Sequence, residues 1–271
     1  MIAWMESPGS DGRRRVDDIG SRFRAVTARV AEAAIRAGRD PADVTIVAVS
    51  KRFPASYVEA AAAAGVTDVG ENRIQEAEPK IQEVSAPVRW RLVGSLQSNK
   101  ARRAVCLFHS IDSVDSARLL RRLDALALEQ GVDGPEALIQ VNVTGESTKH
   151  GVAPGEIEPL LEAAEECQQV RVNGLMTMAP FTEDESVVRD CFRRTRDLAR
   201  SIETMGHERV RMDQLSMGMT GDFEIAIEEG ATIVRLGTAI FGQRPWRDPA
   251  ELRCPPNSRR SASDSSAWVS W

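Results

Sequence analysis

Two patterns of hydrophobic residues alternate along this chain. Short apolar runs rich in Val, Ile and Leu are typical of buried parallel strands, and apolar residues spaced three or four apart are typical of helices. Strands are predicted at residues 44–50, 68–71, 89–95, 107–112, 137–143, 171–178, 213–217 and 232–236. Helices are predicted at about residues 14–37, 55–64, 73–84, 98–105, 115–130, 154–168, 185–205 and 222–229.

Eight strands that alternate with helices predict a single α/β domain, a (β/α)8 TIM barrel preceded by one extra helix. An open doubly wound sheet is the alternative, but no Gly-x-Gly-x-x-Gly sequence follows the first strand. The barrel is expected to span residues 14–244. Residues 1–13 are predicted to be disordered, and so is the tail 245–271, where proline and serine accumulate.

The composition argues against several classes of function. The formal net charge of the 271 residues is −5 with basic and acidic residues interleaved, so no nucleic-acid partner is expected. No apolar run approaches the roughly 18 residues of a membrane span, and residues 1–12 do not read as a secretory signal. The cysteines and histidines are scattered, so no metal site or disulfide is expected. We therefore expect a cytoplasmic monomer.

Lysine is scarce in this sequence, and one lysine occupies a chemically suggestive place. Only Lys51, Lys80, Lys100 and Lys149 occur among 35 basic residues, and Lys51 directly follows the first predicted strand. Barrels bind ligands at the carboxyl ends of their strands, so an amine there is a candidate for a Schiff base with an aldehyde. A nearby cation such as Arg235 would favour the reactive neutral amine. The alternative is a lysine that only extends from the strand end into solvent.

Two segments with hydroxyl residues and glycine lie at the ends of predicted strands. One follows the seventh strand, and the other is at the end of the eighth. Barrels often bind phosphate with these two loops, because hydroxyls and accessible backbone N–H groups donate to phosphate oxygens. The candidate residues for such a site are Ser216, Gly218, Thr220, Gly237 and Thr238. Each is also an ordinary turn residue, so only their joint occurrence favours a phosphate site.

A further candidate, Asn72, follows the second predicted strand. Its amide is suited to a polar substituent on a ligand ring, although a turn asparagine is equally compatible with this position. A Schiff-base lysine, a phosphate site and an arginine at one barrel mouth together suggest pyridoxal 5′-phosphate as the cofactor. Its aldehyde would meet Lys51, and Arg235 would reach its pyridine nitrogen.

Six ordered motifs are shared with one known protein family. Over about residues 15–243 the chain closely resembles the pyridoxal phosphate homeostasis proteins (YggS/PROSC). The motifs that carry the resemblance lie at residues 48–51, 70–72, 94–100, 174–176, 216–219 and 234–242. A set of six in this order is far more specific than any one of them.

The resemblance implies a barrel like the N-terminal domain of alanine racemase, with pyridoxal phosphate bound as a Schiff base on Lys51. It also implies phosphate contacts near Ser216, Gly237 and Thr238, with Arg235 facing the pyridine nitrogen. Members of the family look like cofactor carriers or regulators of vitamin B6 and amino-acid pools, without an established turnover. Apo-enzymes that use the cofactor are the implied partners.

The chain departs from the family pattern at three positions. Arg73 stands where an aromatic residue is usual, Arg91 where a histidine is usual, and Thr220 where a serine is common. Thr220 retains the hydroxyl. Arg73 and Arg91 change the chemistry expected beside the cofactor ring and at the mouth of the barrel.

Other functions remain open from the sequence. A racemase or decarboxylase of the same barrel group would also hold the cofactor on Lys51, and a cofactor-free aldolase would bind its substrate there. An arginine at the pyridine nitrogen and the absence of a second domain favour a carrier, because they weaken the ring as an electron sink and leave the cofactor exchangeable. The arginine alone does not exclude the enzyme, because alanine racemase also has one in that place. Lys149 is a secondary candidate, expected to receive the cofactor transiently during release.

Overall fold

The computed structural model describes residues 9–146 and 150–243. Eight parallel strands follow one another around a closed barrel in chain order, and the first strand also pairs with the last. The strands are β1 Thr45–Val49, β2 Asp68–Glu71, β3 Arg89–Leu92, β4 Ser110–Val114, β5 Glu136–Gln140, β6 Arg171–Met176, β7 Val210–Ser216 and β8 Ile233–Leu236. The predicted TIM barrel is thus confirmed.

Helices alternate with the strands and cover the outside of the barrel. They are α1 Gly9–Arg36, α2 Ala55–Ala63, α3 Ile74–Glu83, α4 Ala101–Leu107, α5 Ala117–Gln130, α6 Glu158–Glu166, α7 Glu185–Thr204, α8 Phe223–Glu228 and α9 Thr238–Phe241. Short 3-10 turns lie at Pro41–Asp43, Ser98–Lys100 and Pro154–Glu156. Within the described residues, no helix is both long and apolar enough to cross a bilayer.

The extra helix α1 completes the outer ring. It packs against α2, α8 and α9, and its apolar residues Ile19, Val26 and Val30 are buried. Its charged face reaches across to α8, where Arg29 forms an ion pair with Glu224 at 3.0 Å. The helix therefore covers the side of the barrel where the first and eighth strands pair.

Several boundaries differ from the prediction by a few residues, and two of these differences have a local cause. Helix α1 begins at Gly9, so residues 9–13 are helical and do not belong to a disordered segment; their glycines have low helix propensity, which favoured a later start. Strand β4 begins at Ser110, beyond the predicted 107, because α4 continues to Leu107. The predicted disorder of 1–8 and of the tail 245–271 concerns residues outside the described part of the chain.

Candidate functional site

A cavity of about 540 Å³ opens at the carboxyl ends of the strands. Small-molecule sites in proteins commonly have volumes of about 300–1,000 Å³, so the cavity suits a ligand of cofactor size. It brings together six of the eight predicted cofactor-binding residues: Lys51, Asn72, Thr220, Arg235, Gly237 and Thr238.

Lys51 is half-buried at the end of β1, where the sequence predicted it. The wall beside it is formed by Phe53, whose ring lies 5.1 Å from that of Tyr57 and 5.2 Å from that of Phe241. Aromatic packing of this kind gives the lysine a rigid apolar surround on one side.

Arg235 is the buried cation of the cavity. Its Nη1 donates to the hydroxyl oxygen of Ser216 at 2.9 Å, and its Nη2 donates to the backbone oxygen of Thr177 at 2.8 Å. Burial lowers the pKa of the guanidinium to about 10, while Asp112 and Asp222 act in the opposite direction. The group therefore stays charged at neutral pH, held rigidly and poorly hydrated.

The predicted phosphate loops meet at one side of the cavity. The hydroxyl of Thr238 donates to that of Thr220 at 3.3 Å, which shows how close the two loops lie. The backbone N–H of Arg235 donates to the oxygen of Gly218 at 3.0 Å and links the end of β8 to the loop after β7. The two hydroxyls and the backbone of Gly237 can all be presented to an anion here.

Ser216 and Gly218 lie behind the cavity wall and do not line it. Ser216 is fully buried and serves as the acceptor that fixes Arg235. Gly218 has a φ of +92°, and a Cβ on it would lie 2.6 Å from the Cβ of Ala226. Both residues therefore support the framework of the site, and the phosphate contacts expected near them stay a prediction.

The cavity also contains an acidic residue that is not among the candidates proposed from the sequence. Asp222 lines the cavity, and its Oδ1 accepts the backbone N–H of Met219 at 2.5 Å. Burial raises the pKa of this carboxyl, although that hydrogen bond and the charge of Arg235 lower it in part. Its place directly after the predicted phosphate loop was the signal that could have identified it.

The loop after β6 is a second part of the site that the sequence did not reveal. Residues 179–183 line the same cavity as Lys51, and Phe181 is fully exposed. Met178 also lines the cavity, and Met176 is buried in a small apolar cluster against which Met178 packs. The loop carries no recognisable motif, so only its position after a strand could have indicated a role.

The donor set of the cavity fits pyridoxal phosphate. The amine of Lys51 suits an aldehyde, and the hydroxyls of Thr220 and Thr238 suit a phosphate. In addition, the Oδ1 atom of Asn72 is buried and has no hydrogen-bond partner in the described structure. A buried acceptor without a partner is costly, so a ligand that donates a hydrogen bond would stabilise it.

The two arginines that depart from the family pattern lie away from the cavity wall. Arg73 is exposed at the start of α3 and pairs with Glu76 at 3.8 Å. Arg91 is buried inside the barrel, where it donates to Asp112 at 3.2 Å and to Gln214 at 2.9 Å. Neither residue alters the ligand-facing surface directly. Lys149 lies outside the described residues.

Comparison with known proteins agrees with this fold over most of the chain. The family described as "Alanine racemase, N-terminal domain" matches residues 23–245. A pyridoxal phosphate homeostasis protein of Pseudomonas aeruginosa is 41% identical over 233 residues, which cover 86% of this chain and 98% of the relative. One from Escherichia coli is 36% identical over 237 residues, covering 85% of this chain and 99% of the relative.

Comparison with solved structures shows the same similarity in fold. PipY of Synechococcus elongatus, in a structure with pyridoxal phosphate bound, aligns with a TM-score of 0.72 at 36% identity and covers 83% of this chain and 100% of that protein. An alanine racemase of Bacillus anthracis shares the fold, with a TM-score of 0.64 at 17% identity, covering 85% of this chain and 57% of the racemase.

The fold and the cavity thus define a barrel of the type found in the N-terminal domain of alanine racemase. Within that type, the full-length similarity to curated relatives is decisive. The chain belongs to the family of pyridoxal phosphate homeostasis proteins.

Proposed function

We propose that this protein binds pyridoxal phosphate as a Schiff base on Lys51 and serves as a carrier or regulator of the cofactor, and thereby of vitamin B6 and amino-acid pools. One observation carries the proposal: Lys51, Arg235, Thr220 and Thr238 line one cavity. The cofactor named in the relatives and bound in PipY has matching groups.

Each residue has a distinct part in this binding. When bound, the cofactor supplies an aldehyde that reacts with amines and a ring that withdraws electrons. Lys51 forms the covalent link, and Thr220, Thr238 and the backbone of Gly237 hold the phosphate. Asn72 accepts a hydrogen bond from a ring substituent through its unpaired Oδ1.

Arg235 suits a carrier, although it does not by itself exclude an enzyme. Its guanidinium is held in place by hydrogen bonds to Ser216 and Thr177. A cation facing the pyridine nitrogen would oppose protonation of the ring. An unprotonated ring is a weaker electron sink for reactions at an amino acid. The relatives that this chain matches almost end to end are named for homeostasis, whereas it covers only 57% of the racemase.

The covalent link can be tested by colour and by substitution. Purified protein, given pyridoxal phosphate and then dialysed, should retain a visible absorbance that borohydride removes. The Lys51→Ala variant should lose this absorbance, and Lys100→Ala, which removes a half-buried lysine after β3, should keep it. Equal colour in the Lys51→Ala variant would contradict the proposal.

The rival function is an amino-acid racemase or decarboxylase. Incubation of the loaded protein with L- and D-amino acids should leave their chirality and amount unchanged. Turnover of about one per second would overturn the carrier proposal, since typical enzymes work at that rate or faster.

We also propose a role for Lys149 in release, a cytoplasmic location and a monomeric state. The Lys149→Ala variant should load pyridoxal phosphate normally on Lys51 but transfer it more slowly to an apo-enzyme that depends on it. An unchanged transfer rate would remove this role. Size-exclusion chromatography with light scattering measures the mass of the native particle, for which one chain of 29.7 kDa is expected.

A further inference from the structure

Lys51 occupies a tight turn with unusual backbone geometry. The backbone N–H of Phe53 donates to the oxygen of Ser50 at 3.0 Å, which closes a four-residue turn with Lys51 at its second position. The third position is Arg52, and its φ of 66° lies in the left-handed region. Turns of this kind usually place glycine or asparagine there, because a Cβ makes the conformation unfavourable. The turn therefore needs support from its surroundings.

Helix α3 supplies that support through two side chains. The amine of Lys80 donates to the backbone oxygen of Ser50 at 2.8 Å, and the Oε2 of Glu76 accepts the backbone N–H of Arg52 at 3.2 Å. These are the two peptide groups on either side of Lys51. Residues four apart on a helix share one face, so Glu76 and Lys80 can hold both groups at once.

The contact from Lys80 is itself held in place. Lys80 is buried at 8% exposure and also donates to Oε1 of Glu71 at 2.5 Å. The hydroxyl of Ser50 donates to the same carboxylate oxygen at 2.5 Å. Buried charges persist when they are paired and hydrogen-bonded, and breaking such a set is costly. The carbonyl group of the Ser50–Lys51 peptide is thus held by a rigid hydrogen-bond network.

We propose that Glu76 and Lys80 form a clamp that fixes the direction of the Lys51 side chain into the cavity, so that they are positioning residues for cofactor binding. This inference rests on the proposed function, because it assigns the clamp a purpose in holding the cofactor on Lys51. The alternative is that the same contacts only dock α3 against the barrel.

The decisive variants remove and restore the acceptor of the Arg52 N–H. Glu76→Ala loses it, while Glu76→Gln keeps an oxygen acceptor without the charge. Glu83→Ala removes an exposed glutamate from the end of the same helix and serves as the matched control. Two quantities are measured: the rate at which bound pyridoxal phosphate leaves Lys51, and, in the protein without cofactor, hydrogen exchange of the Arg52 amide.

The clamp predicts that Glu76→Ala releases the cofactor about fivefold faster, equivalent to about 1 kcal/mol, and that its Arg52 amide exchanges faster. Glu76→Gln should restore the rate of cofactor release and the exchange rate of the Arg52 amide to within about twofold of wild type. The melting temperatures of both Glu76 variants should equal that of wild type. If Glu76→Ala and Glu83→Ala behave alike in cofactor release, the clamp is rejected, although Lys51 still binds the cofactor. If wild-type protein binds none on Lys51, the proposed function fails and the clamp with it.

Lys80 requires a paired substitution, because its removal alone would leave a buried carboxylate without its cation. We expect Lys80→Met combined with Glu71→Gln to release the cofactor faster than Glu71→Gln alone, which retains Lys80 near the Ser50 oxygen. Equal release rates for these two variants would exclude Lys80 from the clamp. Should the double variant fail to fold, the Glu76 series decides the proposal.

Discussion

At the scale of single residues, the site combines groups with opposing electrostatic demands. The cation Arg235 and the acid Asp222 line the same cavity as the hydroxyls of Thr220 and Thr238. The cavity contains the lysine, the arginine and the two threonines that the sequence proposed, and each of them lies in a motif at the end of a strand. The sequence did not place Asp222, because an aspartate before a helix is also a common cap.

Asp222 should oppose the binding of an anion at neutral pH. Its carboxyl has a raised pKa because it is buried, so its charge, and the repulsion of a phosphate, appear as pH rises through that value. The Asp222→Asn variant should bind pyridoxal phosphate roughly threefold to tenfold more tightly at pH 8, since a like charge several ångströms away costs about 1 kcal/mol in a partly hydrated cavity.

The measurement is cofactor affinity from absorbance between pH 5 and pH 8. The phosphate titrates in this range in both proteins, so the difference between wild type and Asp222→Asn isolates the carboxyl. This difference should grow as pH rises. Affinities that coincide at every pH would show that Asp222 does not face the phosphate.

Gly218 gives a residue-scale prediction about stability. Alanine there meets both a left-handed backbone and the side chain of Ala226, whereas a Cβ on Gly221 would have no atom within 4 Å. We expect Gly218→Ala to lower the free energy of unfolding by about 2 kcal/mol and Gly221→Ala to change it by less than about 0.5 kcal/mol. Urea unfolding of both variants tests this, and equal losses would contradict the assigned backbone geometry.

At the scale of elements, the alternation of strand and helix patterns was sufficient to predict the barrel, because period and burial agree in almost every segment. The errors have local causes. Leu107 and Phe108 are apolar enough for a strand, but Leu107 ends α4. Helix α9 spans only Thr238–Phe241, too short for any period to show in the sequence. The loop 179–183 has no periodic signal, and its part in the cavity depends on tertiary structure alone.

The packing of helix α1 against the barrel predicts how two of its isoleucines contribute to stability. Ile19 is completely buried against the barrel, whereas Ile35 on the same helix is 65% exposed. Replacing Ile19 with alanine should lower the free energy of unfolding by about 3 kcal/mol, through lost burial and a cavity. The same change at Ile35 should cost less than about 0.5 kcal/mol.

Urea unfolding measures this difference when both variants are fitted with the same dependence of the unfolding free energy on urea concentration. Similar values for the two isoleucines would mean that α1 does not pack as described. A large loss at Ile19 would show that the extra helix is an integral part of the barrel.

At the scale of the whole molecule, closure of the barrel creates the site. Lys51 and Arg235 lie far apart in the chain, but β1 pairs with β8 and brings them to the same mouth. Such convergence could be expected from the sequence once eight strands were counted. The hydrogen bonds from α3 to the Lys51 turn could not, because they depend on side-chain positions that no local pattern encodes.

The most direct test of this account is to locate the cofactor chemically. The protein is loaded with pyridoxal phosphate, reduced with borohydride, digested and analysed by mass spectrometry. The account predicts one major modified peptide, with the phosphopyridoxyl group on Lys51. A modification confined to Lys80, Lys100 or Lys149, or none at all, would contradict it.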